Sequence, residues 1–209
     1  PDPLHPNQSA WGPAWGTLKP FIVNSSDQFP MDPPPALDSA EYAAAFNQVK
    51  ELGALNSATR TADQTDIAIF WAYDRQAMGP PPVLFDRNLQ DIALAMGNTE
   101  RENARLFAMA SVAMADAATA AWDAKFEDNY WRPVTAIRAG SADGNDATEG
   151  DPDWKPLGAP GNDPNDWSDD FTPPFPAWPS GHATMGGALY EVLRDFYGTD
   201  DVNFVLNSA

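Results

Sequence analysis

Ser180, Gly181 and His182 stand in a row immediately before the apolar-periodic run "ATMGGALYEVLRDFYG". A serine ahead of such a run is a helix N-cap, and the amides of the first helical turn point outward along the axis. That end of a helix attracts anions, and Gly181 lets a ligand come close to the backbone. His182 adds a group that gives or takes a proton near neutral pH. Capping alone also accounts for the serine, and a histidine packed into a core accounts for the rest. By itself the tripeptide is ambiguous.

A second segment changes the balance. "WDAKFEDNYWRP" holds Lys125 and Arg132, seven residues apart, a spacing that predicts two helical turns and one shared face. The chain has only four lysines and eight arginines, and these two lie among aromatics. The Arg132 guanidinium is a planar fork suited to an oxyanion, and Lys125 is a point charge on a flexible stem. The ordinary alternative is a pair of snorkelling or salt-bridged cations, with Asp123, Glu127 and Asp128 as local partners. Taken with the Ser-Gly-His turn, the two cations favour an oxyanion site.

The bulk composition limits what such a site serves. Thirty acidic residues against twelve basic ones give a net charge of −18, which argues against sequence-independent nucleic-acid binding. The same excess fits a secreted or periplasmic setting. No apolar run has the length of a membrane span. The chain contains no cysteine, so disulfides, zinc-thiolate sites and thiol nucleophiles are excluded. It opens at Pro1, which predicts a processed or trimmed N-terminus. It stops in "DDVNFVLNSA" as a new apolar segment begins, which predicts the N-terminal part of a longer domain.

The elements that must position these residues read as helices throughout. Residues 1–37, rich in proline and aromatics, predict an extended arm anchored by Trp11, Trp15 and Phe21. Residues 38–209 predict a helical domain, incomplete at its C-terminal end. Asp38 and Glu41 have capping-box spacing ahead of a helix that turns Tyr42, Phe46 and Val49 inward and closes at Gly53. Thr61 and Gln64 repeat the pattern for a second helix, stopped by Pro80–Pro82. A third helix turns Leu89, Ile92 and Met96 inward. A fourth, long and alanine-rich, runs from Thr99 to about Asp123. "RPVTAIRAG" is a short helix with Pro133 in its first turn. The stretch 140–178 lacks period and reads as a functional loop or cover. The helix after Ser180 turns Met185, Leu189, Val192 and Phe196 inward and ends at Gly198. The fold class is all-α.

"KFEDNYWRP" (Lys125 to Pro133) followed by "PSGH" (Pro179 to His182) resembles the first two of three signature motifs of the vanadium-dependent haloperoxidases. The related phosphatidic acid phosphatase type 2 superfamily shares these motifs. The stretches "RTADQTDIAIFWAYD", "RLFAMASVAMADAATAAW" and "PPFPAWPSGHATMGGA" are similar to the chloroperoxidase branch. The resemblance covers roughly residues 60 to 198 and implies a helical bundle that holds orthovanadate by charge and hydrogen bonds. It implies that Lys125, Arg132, Ser180 and the Gly181 amide bind the cofactor's oxygens, with His182 and Lys125 catalytic. Trp122 and Phe175 match aromatic positions of the halide pocket, and Asp74 a carboxylate bracing an arginine of the third motif. Each of these three also has an ordinary reading, the aromatics as core and Asp74 as a helix-surface residue.

The implied reaction takes hydrogen peroxide and halide to hypohalous acid, which halogenates a small organic substrate. The third motif is absent. The only other histidine, His5, matches nothing, and Arg194 is no stand-in for the missing arginine. The chain therefore offers no direct histidine ligand to vanadium, which is expected in a missing C-terminal part or a second polypeptide. Two other readings stay open: an acid phosphatase on the same scaffold, and an inactive remnant that keeps the anion cradle.

Overall fold

Six α-helices run through the computed structural model, which describes residues 7, 9–72, 80–139, 141–157 and 172–205. They are α1 (Ala40–Leu52), α2 (Ala62–Phe70), α3 (Pro81–Ala95), α4 (Glu100–Asp128), α5 (Pro133–Arg138) and α6 (Gly181–Tyr197). Two one-turn 3₁₀ segments, Trp15–Thr17 and Ser141–Asp143, complete the regular structure. Among the described residues there is no strand, only one antiparallel bridge between Ala54 and Pro156. The all-α expectation holds. No helix among them is long and apolar enough to cross a membrane.

The helix ends follow local chemistry, with four corrections. The Ser39 hydroxyl, not Asp38, caps α1 by accepting the Tyr42 N–H at 3.1 Å. Thr61 and Gln64 form the expected capping box on α2. That helix ends at Phe70 rather than at the prolines. Pro80 to Pro82 instead start α3, where a missing N–H costs nothing because the first turn has no acceptor for it. Met96 follows the last residue of α3 and is exposed, whereas Leu89 and Ile92 are buried as expected. α4 reaches five residues beyond the expected end. Its start is fixed by Thr99, whose N–H and hydroxyl donate to Glu102 while the Glu102 N–H returns to the Thr99 hydroxyl.

Two compact units make up the chain, each with its own core. The first takes Pro1–Gly12, Asp32–Ala77 and Asp128–Trp178. Here α1 packs on α5 through Tyr42, Phe46, Val134 and Ile137, with Trp154 closing the cluster. The second takes Pro13–Met31, Met78–Glu127 and Pro179–Ala209. Its core joins Phe85, Leu89 and Ile92 of α3, Leu106, Ala110 and Met114 of α4, and Met185, Leu189 and Leu193 of α6. Gly186 allows α3 and α6 to approach, because a Cβ there would meet the Phe85 ring at 3.2 Å.

Residues 13–31 of the second unit form a strap along α4. The amides of Phe21, Ile22 and Val23 all donate to the Asp116 carboxylate, at 2.6, 2.8 and 3.1 Å. The Ser26 hydroxyl donates to Asp123 at 2.6 Å. Phe21 thus anchors by its backbone, and its ring is 73% exposed, contrary to the side-chain anchor expected from sequence. Burial alone would push the Asp116 carboxyl up, but the three amide bonds outweigh it and hold the group below its ordinary value.

A depressed carboxylate contributes stability above its unfolded value, and that contribution fades as pH falls through the folded one. The strap should therefore loosen as pH falls below 3.8, the ordinary aspartate value. Asp116→Asn sets an amide NH2 against backbone donors. It should cost about 1.5–3 kcal/mol at neutral pH and flatten the acid limb of the stability profile. Denaturant titrations at a series of pH values check both effects.

Candidate active site

Lys125 and Trp122 stand three residues apart in the last turns of α4, so their side chains share a face. Lys125 is 1% exposed, and its Nζ lies 5.7 Å from the centre of the Trp122 ring. An ammonium is costly to bury, and an aromatic face offsets part of that cost. The same indole reaches the start of α6. A Cβ on Gly181 would lie 3.2 and 3.4 Å from two atoms of its six-membered ring. One buried indole therefore touches both the lysine and the first residue of the helix carrying the Ser-Gly-His turn.

That turn is built as the sequence predicts. The Ser180 backbone is extended, and its hydroxyl accepts the Ala183 N–H at 3.2 Å, while the Thr184 N–H and hydroxyl donate to the Ser180 carbonyl. A hydroxyl that accepts still has its own hydrogen to donate, so the cap and an anion contact are compatible. α6 is 17 residues long and ends at Gly198 with φ of 69°, so its N-terminus carries the positive end of a substantial dipole. His182 is half-buried, its imidazole set edge-on to Phe85 at 6.4 Å and 65°.

Arg132 belongs to the first unit. Its guanidinium stacks 5.2 Å from the centre of the Phe175 ring, and Nη1 donates to the Phe175 carbonyl at 3.5 Å. Trp11 lies on the far side of that contact chain, with its ring 6.5 Å from Phe175 and its N–H on the Pro174 carbonyl. Lys125 and Arg132 do not share a helical face, which corrects the spacing argument. α4 ends at Asp128, and Asn129 takes a left-handed backbone with φ of 47°. Arg132 is extended as the cap of α5, because the following proline disfavours a helical backbone there.

The structure thus brings Lys125, Trp122, Ser180, Gly181 and His182 together in one unit, and Arg132 with Phe175 in the other. Asp74 and His5 lie outside the described residues. The donors present in the second unit are an ammonium, a hydroxyl and helix-start amides, a set suited to an oxyanion. Sequence reasoning missed Phe85 behind His182 and Asp116 under the strap. Neither has a local signal, because each acts across nearly a hundred residues of chain.

A family model described as the VCPO second helical-bundle domain matches residues 105–209. The chain is 36% identical, over an alignment of 219 positions, to a vanadium chloroperoxidase of Curvularia inaequalis. That alignment covers 94% of this chain and 35% of the relative. The crystal structure of a bacterial vanadium-dependent iodoperoxidase superposes with a TM-score of 0.71 at 29% identity, over 91% of this chain and 43% of that one. The chain therefore spans about a third of the length of the curated relative it matches.

Proposed function

Because the chain belongs to the VCPO second helical-bundle domain family, we propose that it serves a vanadate-dependent haloperoxidase. The observation that carries this reading is the buried Lys125 beside Trp122, with the capped start of α6 against the same ring. Bound orthovanadate would supply a Lewis-acidic centre at which hydrogen peroxide is activated towards halide. Lys125, Ser180 and the Gly181 amide would hold its oxygens by charge and hydrogen bonds. The resemblance assigns Arg132 to the same anion. His182 would hold and move a proton at its imidazole, and Lys125 would donate a charged hydrogen bond to a bound oxygen. Trp122 would offer a halide an apolar, polarisable face, and the resemblance assigns the same role to Phe175. The acidic composition supports a secreted or periplasmic setting.

Oxidation of halide that needs both orthovanadate and hydrogen peroxide tests the proposal. Hydrolysis of a phosphomonoester with no halide oxidation would replace it with a phosphatase, and tight orthovanadate binding without turnover would leave an anion-binding protein. Arg132→Ala should weaken orthovanadate retention by about 30-fold or more, since a charged donor is lost. Equilibrium dialysis reads that change directly. An unchanged affinity would remove Arg132 from the assignment.

A further inference from the structure

The geometry points to Trp15 as a positioning residue for this site, an inference that rests on the oxyanion reading of Lys125 and the α6 start. Trp122 is the group that the site's parts share, with the lysine 5.7 Å from its ring and Gly181 against its six-membered edge. The strap packs on this indole. The Trp15 ring packs on it with centroids 4.4 Å apart and planes tilted by 43°. Trp15 opens the 3₁₀ turn Trp15–Thr17, and the next residue, Gly16, is buried against α4. A Cβ on Gly16 would fall 2.5 Å from the Asp123 Cα and 2.6 Å from its nitrogen, so only glycine lets the strap come this close.

Two further contacts hold the strap in place: Ser26 on Asp123, and the three amides on Asp116 about two turns earlier. Trp15 is thus pinned beside the α4 turn that bears Trp122 and Lys125. Its ring packs directly on Trp122, so removing it opens space beside that indole. A residue of the N-terminal arm, outside both signature motifs, sets how closely Lys125 and the α6 amides are held for an anion.

The test uses the full chain labelled with 5-fluorotryptophan, with the Trp122 resonance assigned by Trp122→Phe and orthovanadate as the probe. Trp15→Leu should move or broaden the Trp122 fluorine resonance and raise the orthovanadate dissociation constant by about tenfold, as loss of an outer supporting group does. Trp15→Phe, which keeps a smaller ring, should give an intermediate change in both. Circular dichroism identifies the variants that fold. If only Trp15→Phe folds, its Trp122 resonance decides. A folded variant whose Trp122 resonance stays in place overturns the proposal, as does one whose resonance moves while the affinity stays at the wild-type value. A wild-type chain that binds no orthovanadate, with Trp122 still responding to Trp15→Leu, overturns the vanadate reading and supports the hold of Trp15 on Trp122.

Discussion

His182→Ala is expected to lower peroxide-dependent halide oxidation by about 10²–10⁴-fold, the range associated with a positioned proton-transfer group. The imidazole belongs to the second residue of α6, directly after the glycine that touches Trp122, and Phe85 stands edge-on behind it. The Ser180 cap that starts this turn is made by the Ala183 amide, so alanine at 182 keeps the cap itself. Orthovanadate affinity should accordingly change far less than turnover. Steady-state rates alongside equilibrium binding separate the two effects. Retained halide oxidation in the variant would remove His182 from the acid–base role.

Lys125→Ala should reduce turnover by about 10²–10³-fold, comparable to losing one donor from a preorganised oxyanion site. Orthovanadate binding should weaken by a smaller factor, because the remaining donors still hold the anion. The asymmetry follows from position. A buried ammonium acts on charge in a surrounding of low polarity, where its field is strong. Lys125→Met keeps most of the stem volume beside Trp122 and removes only the charge. Its kinetics should match those of the alanine variant. Equal losses of binding and turnover in Lys125 and Arg132 variants would contradict the division of roles between them.

Most of what the sequence makes legible is local. The Ser180 cap, the Gly198 stop, the Thr61–Gln64 box and the proline at the start of α5 each depend on a few adjacent residues, and all stand where expected. The misreadings have equally local causes. Ser39 and Asp38 are adjacent cap formers, and the shape of the turn selects the serine. Three prolines stop one helix or start another with equal ease, and here they start α3. Seven-residue spacing puts Lys125 and Arg132 on one face only if the helix continues between them, and α4 stops at Asp128, before the left-handed Asn129.

The candidate site was partly legible because its cations and its Ser-Gly-His turn are compact motifs. Their support was not. Trp15 meets Trp122, and residues 21–23 meet Asp116, across more than ninety residues, with no periodicity to announce either contact. The burial of Lys125 was foreshadowed only by its aromatic neighbours.

The central claim is that Lys125 and the α6 N-terminus form an oxyanion seat around Trp122. A titration of the protein with orthovanadate, followed by vanadium-51 NMR, tests it most directly. The account predicts saturable binding of one orthovanadate per chain, weakened in Lys125→Ala and in Ser180→Ala. A folded protein that shows no saturable binding, or whose binding is the same in both variants, would contradict it.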